Sequence, residues 1–149
     1  MHSAKRLEDL VIWMLACELR DGISKALATG SGARDQDFRW QIESSSRSIA
    51  SNIAEGFGYF RPRQFAKYLR IARGSAMETR SHVNEGRGKH FTAADATRFF
   101  RLTVRIITGT SSLIRYLESC DPNLDLRNVR AGSGPTPAVD VSTEPSEPF

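Results

Sequence analysis

Apolar residues recur at intervals of three and four along four segments of the chain. An α-helix turns about 100° per residue, so this spacing places the apolar side chains of each segment on one helix face. No segment shows the alternation of apolar and polar residues that is typical of a half-buried β-strand. The sequence therefore predicts an all-α fold.

Two helices are expected in the N-terminal half. The first covers about residues 7–28 and ends at a glycine-rich stretch, residues 29–32, which predicts a flexible loop. The second covers about residues 37–58, and either Asp35 or Asp37 can cap its N-terminus. Serines are unusually frequent in the second helix, and such small side chains favour close approach of a neighbouring helix.

Two further helices are expected in the C-terminal half. The third begins at Pro62, a residue favoured in a first helical turn, and runs to about Gly86. The fourth covers about residues 92–118, with Thr92 and Asp95 in the arrangement of a capping box. Helices of this length, joined by short loops, predict an up-down antiparallel four-helix bundle.

The end of the chain differs from this body in charge and composition. Residues 1–120 carry a net charge of +7, whereas residues 121–149 carry −3 and five of the six prolines. We therefore expect a bundle over 1–120 and a disordered acidic, proline-rich tail over 121–149. Such a tail either is an inert solubilising segment, or folds back on the basic body, or competes with an anionic partner.

Several classes of protein do not fit the sequence. It contains no run of about 18 apolar residues, so no membrane span is expected, and the acidic pair near its start does not resemble a signal peptide. A cytoplasmic protein is the expectation. Two cysteines, Cys17 and Cys120, are too few for a disulfide framework or a four-cysteine zinc site. Glu78 and His82 lie four residues apart and have no second pair, so no di-metal site is expected. No phosphate-binding loop is present, and no cofactor is expected.

Basic residues along the third predicted helix are the clearest chemical feature. Their spacing puts them on the side opposite its apolar stripe, where arginine forks can bind phosphates. The aromatic residues Tyr59 and Phe60 precede this helix, and an exposed ring there can stack on an unpaired base. Alternatively, the face is solvated or forms salt bridges between subunits. The candidate nucleic-acid-binding residues are Arg61, Arg63, Lys67, Arg70, Arg73, Arg80 and Arg87.

A polar group near the end of the second helix has two interpretations. Asn52 and Glu55 are three residues apart and share a helix face, and Gly56 allows close approach of another backbone. Together with Arg73 and Glu78 of the third helix, they are predicted to form a buried hydrogen-bonded cluster. The alternative is a binding site for a small polar ligand.

Three stretches of the sequence carry a family resemblance: DLVIWMLACEL (Asp9–Leu19), QIESSSRSIASNIAEGFG (Gln41–Gly58) and FAKYLRIARGSAMETR (Phe65–Arg80). They resemble the bacterial 23S rRNA intervening-sequence proteins, a family of four-helix bundles. The second stretch is the most specific. It holds the family's signature residues Ser48, Asn52, Glu55 and Gly56 at the expected spacing.

The chain departs from the family pattern at two places in the second stretch. Glu43 and Ser44 stand where the family usually has an arginine pair, so more of any RNA contact would fall to the third helix. Ala50 stands where the family usually has proline, which predicts a less kinked helix.

The resemblance implies a cytoplasmic bacterial protein that forms a ring-shaped homo-oligomer, in particular a pentamer. Ring assembly requires apolar surface outside the bundle core. The aromatic and leucine side chains off the core stripes are candidates: Trp13, Leu15, Trp40, Phe60 and Phe100.

The functional expectation is a non-enzymatic oligomer that binds RNA or a ribonucleoprotein through the basic third helix. The alternative is a protein-interaction scaffold without direct RNA contact. A related branch of the family suggests that such a scaffold resembles the accessory protein of diversity-generating retroelements. In that branch, a basic bundle ring partners a reverse transcriptase and nucleic acid.

Overall fold

Six α-helices follow one another in residues 4–132, the part of the chain that the computed structural model describes. A 3-10 turn, Leu7–Asp9, precedes them, and no β-strand occurs among these residues. The predicted all-α class is confirmed. The helices are α1 (Val11–Ala26), α2 (Gly30–Arg34), α3 (Gln36–Gly58), α4 (Pro62–Gly86), α5 (Ala93–Ser119) and α6 (Leu126–Arg130).

The four long helices end close to where the sequence signals place their boundaries. Pro62 occupies the first turn of α4. Asp35 caps α3, with its Oδ1 accepting a hydrogen bond from the Phe38 amide at 3.1 Å. Thr92 caps α5 in the same way, with its Oγ1 accepting from the Asp95 amide at 3.1 Å. These caps satisfy amides that have no partner within their helix.

Each long helix packs against two others. α1 lies against α3 and α5, and α4 lies against the same two helices from the other side. Side chains at the start of α3 meet the end of α4, where Phe38 approaches Gly86, and the end of α3 meets the start of α4, where Phe57 contacts Phe65. The core between the four helices is built from aliphatic and aromatic side chains, among them Leu19, Ile42, Ile49, Leu69, Ile106 and Phe99.

The glycine-rich stretch after α1 is not the loop that its composition predicts. Residues 30–34 form the short helix α2. Gly30 has a φ of 72°, which glycine adopts without strain, and Gly32 is buried against the Leu27 side chain. The Ser31 hydroxyl of α2 also donates to the Lys89 carbonyl at 2.7 Å, and this tertiary contact stabilises a helix that local propensity disfavours.

The start of the segment predicted as a disordered tail is folded. The short helix α6 lies inside the segment expected to be disordered, and its Leu126 and Val129 are buried against the body. The Leu126 amide donates to the Phe60 carbonyl at 2.9 Å. Two apolar side chains and this hydrogen bond hold a segment that is too short and too polar to be recognised from its sequence. Residues 133–149 of the predicted tail lie outside the described residues.

Within residues 4–132, no helix is both long enough and apolar enough to cross a membrane.

Candidate nucleic-acid interface

Positive charge is concentrated on two neighbouring helices. α4 carries five basic and two acidic side chains, and α5 carries four basic and two acidic ones. In contrast, α1 has two of each sign and α3 has three acidic and two basic residues. Because α4 and α5 pack side by side, their charges form one basic surface that faces away from α1 and α3.

Three of the predicted binding residues are not neutralised within the fold. Arg63 and Lys67 are exposed on the first turns of α4, and Arg80 is half-buried near its end. None of them forms an ion pair or hydrogen bond with another residue between 4 and 132. Their donors are therefore directed to solvent and available to an anionic ligand.

The other four predicted binding residues are engaged with neighbouring parts of the chain. Arg70 forms an ion pair with Glu118, and Arg61 donates to the Asn123 carbonyl. Arg73 donates to Ser111 Oγ at 3.2 Å and Arg87 donates to Thr97 Oγ1 at 3.4 Å. Two of these contacts join α4 to α5, and Arg87, the residue after α4, is bound to α5 as well. The predicted binding residues therefore divide into those that hold the helices together and those that remain open.

The basic surface also contains arginines that the sequence reasoning did not single out. Arg101, Arg105 and Arg115 are exposed on α5. Arg98 lies at the α1 side of the same helix, 3.6 Å from Glu18. The signal was present in the sequence, because arginines spaced by three and four residues on the polar side of the fourth predicted helix mark a second basic face.

The signature residues Ser48 and Asn52 belong to a polar seam between α3 and α4. The Ser48 and Ser75 hydroxyls lie 2.8 Å apart across the two helices, and Asn52 Nδ2 donates to the Ser48 carbonyl at 2.8 Å. About one helical turn earlier in α3, Ser45 Oγ accepts a hydrogen bond from Thr79 Oγ1 of α4 at 2.9 Å. Buried hydroxyls that satisfy one another allow the close helix contact expected of the serine-rich α3.

The predicted buried cluster of Glu55, Glu78 and Arg73 does not form. Glu55 is exposed and hydrogen-bonds with Tyr68, whereas Glu78 is 61% exposed and lies 3.7 Å from His82. The helices run in opposite directions, so Glu55 meets the first turns of α4. Glu78 lies ten residues beyond Tyr68, about 15 Å along the axis at 1.5 Å per residue. Spacing within one helix did not predict this offset between helices.

Gly56 is required for the contact between α3 and α4. A Cβ atom at this position would lie 2.8 Å from Phe65 Cδ2 and 2.8 Å from Tyr68 Cβ. Ordinary carbon contacts are about 3.5–4.0 Å, so only glycine fits without movement of the helices. The expected role of Gly56 in close backbone approach agrees with this geometry.

Aromatic rings cluster at the turn between α3 and α4, which we call the α3–α4 corner. Tyr59 and Tyr68 are stacked with centroids 5.1 Å apart, and their hydroxyls are separated by 3.3 Å. Hydrogen bonds with Tyr59 and Glu55 raise the pKa of Tyr68 to about 12. Phe60, by contrast, is 40% exposed.

Helix α6 adds cations to this corner. The Arg127 guanidinium lies 4.7 Å from the Phe60 ring centroid, and the Arg130 guanidinium lies 3.7 Å from that of Phe57. Burial lowers the pKa of Arg130. Asp125 binds Arg127 through both carboxylate oxygens at 2.5–3.1 Å, and this contact lowers the pKa of Asp125 to about 2.

The apolar candidates for assembly fall into two groups. Trp40 is 72% exposed on α3, while Trp13 and Phe100 are partly buried against the core. Leu15 is 6% exposed and belongs to the core, so its prediction as a surface residue is wrong. It is turned inward with Leu19, one helical turn away. Val11 and Met14, which the sequence reasoning did not select for the surface, are exposed on α1.

Trp13 lines an open groove between α1 and α3. Arg20, Arg47, Ala50, Ser51 and Ala54 line the same groove. It therefore lies on the side of the molecule away from the basic α4–α5 surface.

Ser31, His90 and Asp35 meet at one end of the molecule. His90 Nε2 lies 3.1 Å from Asp35 Oδ2, and His90 Nδ1 lies 3.3 Å from Ser31 Oγ. The Ser31 hydroxyl donates to the Lys89 carbonyl at 2.7 Å, so its proton does not point at the imidazole. His90 therefore does not accept the serine proton, so Ser31 is not activated as a nucleophile. The three residues instead join α2 to the α4–α5 loop.

No group of metal-ligating side chains suited to an ion occurs in residues 4–132.

A family model described as "23S rRNA-intervening sequence protein" matches residues 8–107, about two thirds of the chain. The chain belongs to this family. The resemblance read from its motifs is thereby confirmed. The match covers α1–α4 and the first half of α5, whereas α6 and its arginines lie outside it. No curated protein and no solved structure matches the chain.

Proposed function

We propose that this intervening-sequence protein is a non-enzymatic, homo-oligomeric bundle that binds RNA or a ribonucleoprotein through α4 and α5. The observation that carries the proposal is the segregation of charge, with the basic surplus on α4 and α5 and near-balance on α1 and α3. Arginines on one side of a helix pair favour contact with a phosphate backbone. The 23S rRNA in the family's description is consistent with an RNA ligand.

The architecture within this proposal is an up-down antiparallel four-helix bundle made of α1, α3, α4 and α5. Cross-helix contacts support it. Ser24 of α1 donates to Glu43 of α3 at 3.2 Å, and Arg87 at the end of α4 reaches Thr97 at the start of α5. Both pairs join a helix end to the beginning of the next long helix. The proposed copies assemble as a ring, with a pentamer as the expected size, in the bacterial cytoplasm.

Arg63, Lys67 and Arg80 are assigned the main phosphate contacts because nothing in residues 4–132 neutralises them. Arg101, Arg105 and Arg115 extend the surface onto α5. Arginine suits this role because its fork donates two hydrogen bonds to one phosphate.

The test is a fluorescence-anisotropy titration of a labelled, structured 23S rRNA fragment at several salt concentrations. We expect affinity to fall steeply with salt. The triple variant Arg63→Ala/Lys67→Ala/Arg80→Ala should reduce the slope by about 2–3 units of log K per log salt, since each lost phosphate contact removes about 0.7–0.9.

A charge-matched control separates contact from bulk electrostatics. Arg20→Ala/Arg39→Ala/Arg47→Ala removes the same charge from α1 and α3 and should change the slope little. Circular dichroism shows whether each variant keeps its helicity. Absence of wild-type binding at low salt, or equal losses in the two triple variants, would refute the proposed interface.

The second candidate function is a protein-interaction scaffold or accessory subunit without direct RNA contact. The engagement of Arg70 with Glu118 and of Arg73 with Ser111 favours it, because these arginines already act within the protein. In that case the α4 triple variant changes oligomer mass or partner capture, while RNA binding is absent from the wild type.

A further inference from the structure

The exposed Phe60 ring differs in its surroundings from the other aromatic rings at the α3–α4 corner. Tyr59 is stacked on Tyr68, and Phe57 packs edge-on against Phe65. Within residues 4–132, Phe60 contacts no other aromatic ring and is 40% exposed. Part of the Phe60 ring is therefore open to solvent at this corner, beside the guanidinium of Arg127 that lies over it.

Cations surround this ring. The Arg127 guanidinium lies 4.7 Å from its centroid and that of Arg130 lies 5.8 Å away. Arg61 is the next residue along the chain and is exposed. One carboxylate, that of Asp125, binds Arg127. The surroundings combine a ring face with a surplus of positive charge, which suits a ligand that is both aromatic and anionic.

The position of Phe60 is fixed from both sides. Its carbonyl accepts from the Leu126 amide at 2.9 Å, and Pro62 begins α4 two residues later. Arg61 is held by the carbonyl of Asn123. A ring presented on anchored backbone loses little conformational freedom when a ligand stacks on it.

The corner is continuous with the open part of the basic surface. Arg63 and Lys67 are one turn apart on the same side of α4, and they lead along the helix to Phe60 at its start. Phe60 precedes Arg63 by three residues, so the ring and these two cations belong to the same end of α4. In a duplex the bases are stacked inside, and only an unpaired base can be turned out to meet an aromatic side chain.

We propose that Phe60 is a stacking platform for an unpaired RNA base, with Arg63 and Lys67 holding the phosphates beside it. This inference rests on the proposed RNA binding and adds the class of RNA. The protein prefers a strand with a bulged or looped-out nucleotide to a continuous duplex.

The test compares two labelled RNA hairpins of equal length and equal phosphate number, one fully paired in its stem and one with a bulged adenine. Binding of the full chain to each is measured by anisotropy at one salt concentration. We expect the bulged RNA to bind about tenfold more tightly, the size of effect that one aromatic–base stack produces. With 2-aminopurine in place of the bulged adenine, stacking on the ring also changes the fluorescence.

The variants isolate the ring face. Phe60→Leu retains an apolar side chain and should abolish the preference for the bulged RNA, while Phe60→Tyr retains the ring and should preserve it. Trp40→Leu removes a still more exposed aromatic from α3 and serves as the matched control. An effect on folding or assembly changes binding of both RNAs, so the ratio of the two affinities is the readout.

The outcomes separate this inference from the proposed function. Equal affinity for the two RNAs, an unchanged ratio in Phe60→Leu, or the same loss of ratio in Trp40→Leu overturns the stacking site and leaves RNA binding standing. Failure of the wild type to bind either RNA overturns the proposed function and this inference with it.

Discussion

The contact at Gly56 gives a prediction whose size follows from the structure. In Gly56→Ala, the added Cβ would lie 2.8 Å from both Phe65 Cδ2 and Tyr68 Cβ. Neither atom can move away alone. Tyr68 Cβ is attached to the α4 backbone, and Phe65 is 4% exposed and packed against Phe57. The helices must separate, and overpacking of this kind costs about 1–3 kcal/mol.

A second glycine provides the matched control. Gly74 also lies within a long helix, but a Cβ there meets nothing within 4 Å. Gly74→Ala should therefore stabilise the protein by about 1 kcal/mol, the difference in helix propensity between the two residues. Gly56 lies two residues from the end of α3, where the same gain is smaller. The free energies of unfolding of the two variants should therefore differ by at least the packing cost.

Urea denaturation followed by far-ultraviolet circular dichroism measures this difference. The protein concentration must be the same for both variants, because assembly would make stability depend on it. We expect Gly56→Ala to unfold with a free energy at least 1 kcal/mol below that of Gly74→Ala. If the two variants are equally stable, the close approach of α3 and α4 at Gly56 is not what the structure indicates.

Two further predictions concern α6 and assembly. Arg127 holds the pKa of Asp125 at about 2, below the usual value near 4, so this pair stabilises α6 above pH 4 and ceases to do so as pH falls toward 2. The hydrogen-exchange protection factors of the α6 amides, which correct for the intrinsic effect of pH on exchange, should fall over that range in the wild type but not in Asp125→Asn. Sedimentation should give a mass above that of a dimer, and Trp40→Lys should lower it if this exposed side chain lies between copies; a monomeric wild type would refute the assembly.

The long helices could be predicted because their signals are local. Pro62 and Gly86 bound α4 as expected, and Thr92 supplies the cap at the start of α5. Each signal acts within one helical turn of the boundary it sets. Apolar spacing likewise depends on the geometry of a single helix, so the core faces follow from the sequence alone.

The short helices could not be predicted because they depend on distant residues. Leu126 and Val129 are two apolar residues in a polar segment, and their contribution appears only when the α3–α4 corner is placed beside them. Helix α2 is similar, since the Ser31 hydroxyl donates to the Lys89 carbonyl, 58 residues along the chain. In both segments tertiary contact overrides a weak helix propensity.

The basic residues of the candidate site were predicted from the sequence, but their contacts with other residues were not. The basic character of α4 follows from the sequence, yet which arginines are open depends on what α5 places opposite them. Arg70 meets Glu118, whereas Arg80 meets no carboxylate in residues 4–132. The same dependence explains why the predicted cluster of Glu55 and Glu78 does not form. Their relative positions along the helix axes are set by the pairing of α3 with α4.

This division among the arginines determines how an RNA contact would be built. A phosphate that engages Arg70 must compete with Glu118, and one that engages Arg73 must replace its hydrogen bond to Ser111. The net gain at those positions is reduced by the interaction that is lost. Arg63 and Lys67 are exposed and have no such bond to break. The electrostatic contribution to RNA affinity should therefore be greatest at the N-terminal end of α4. Phe60 lies next to the same end of this helix.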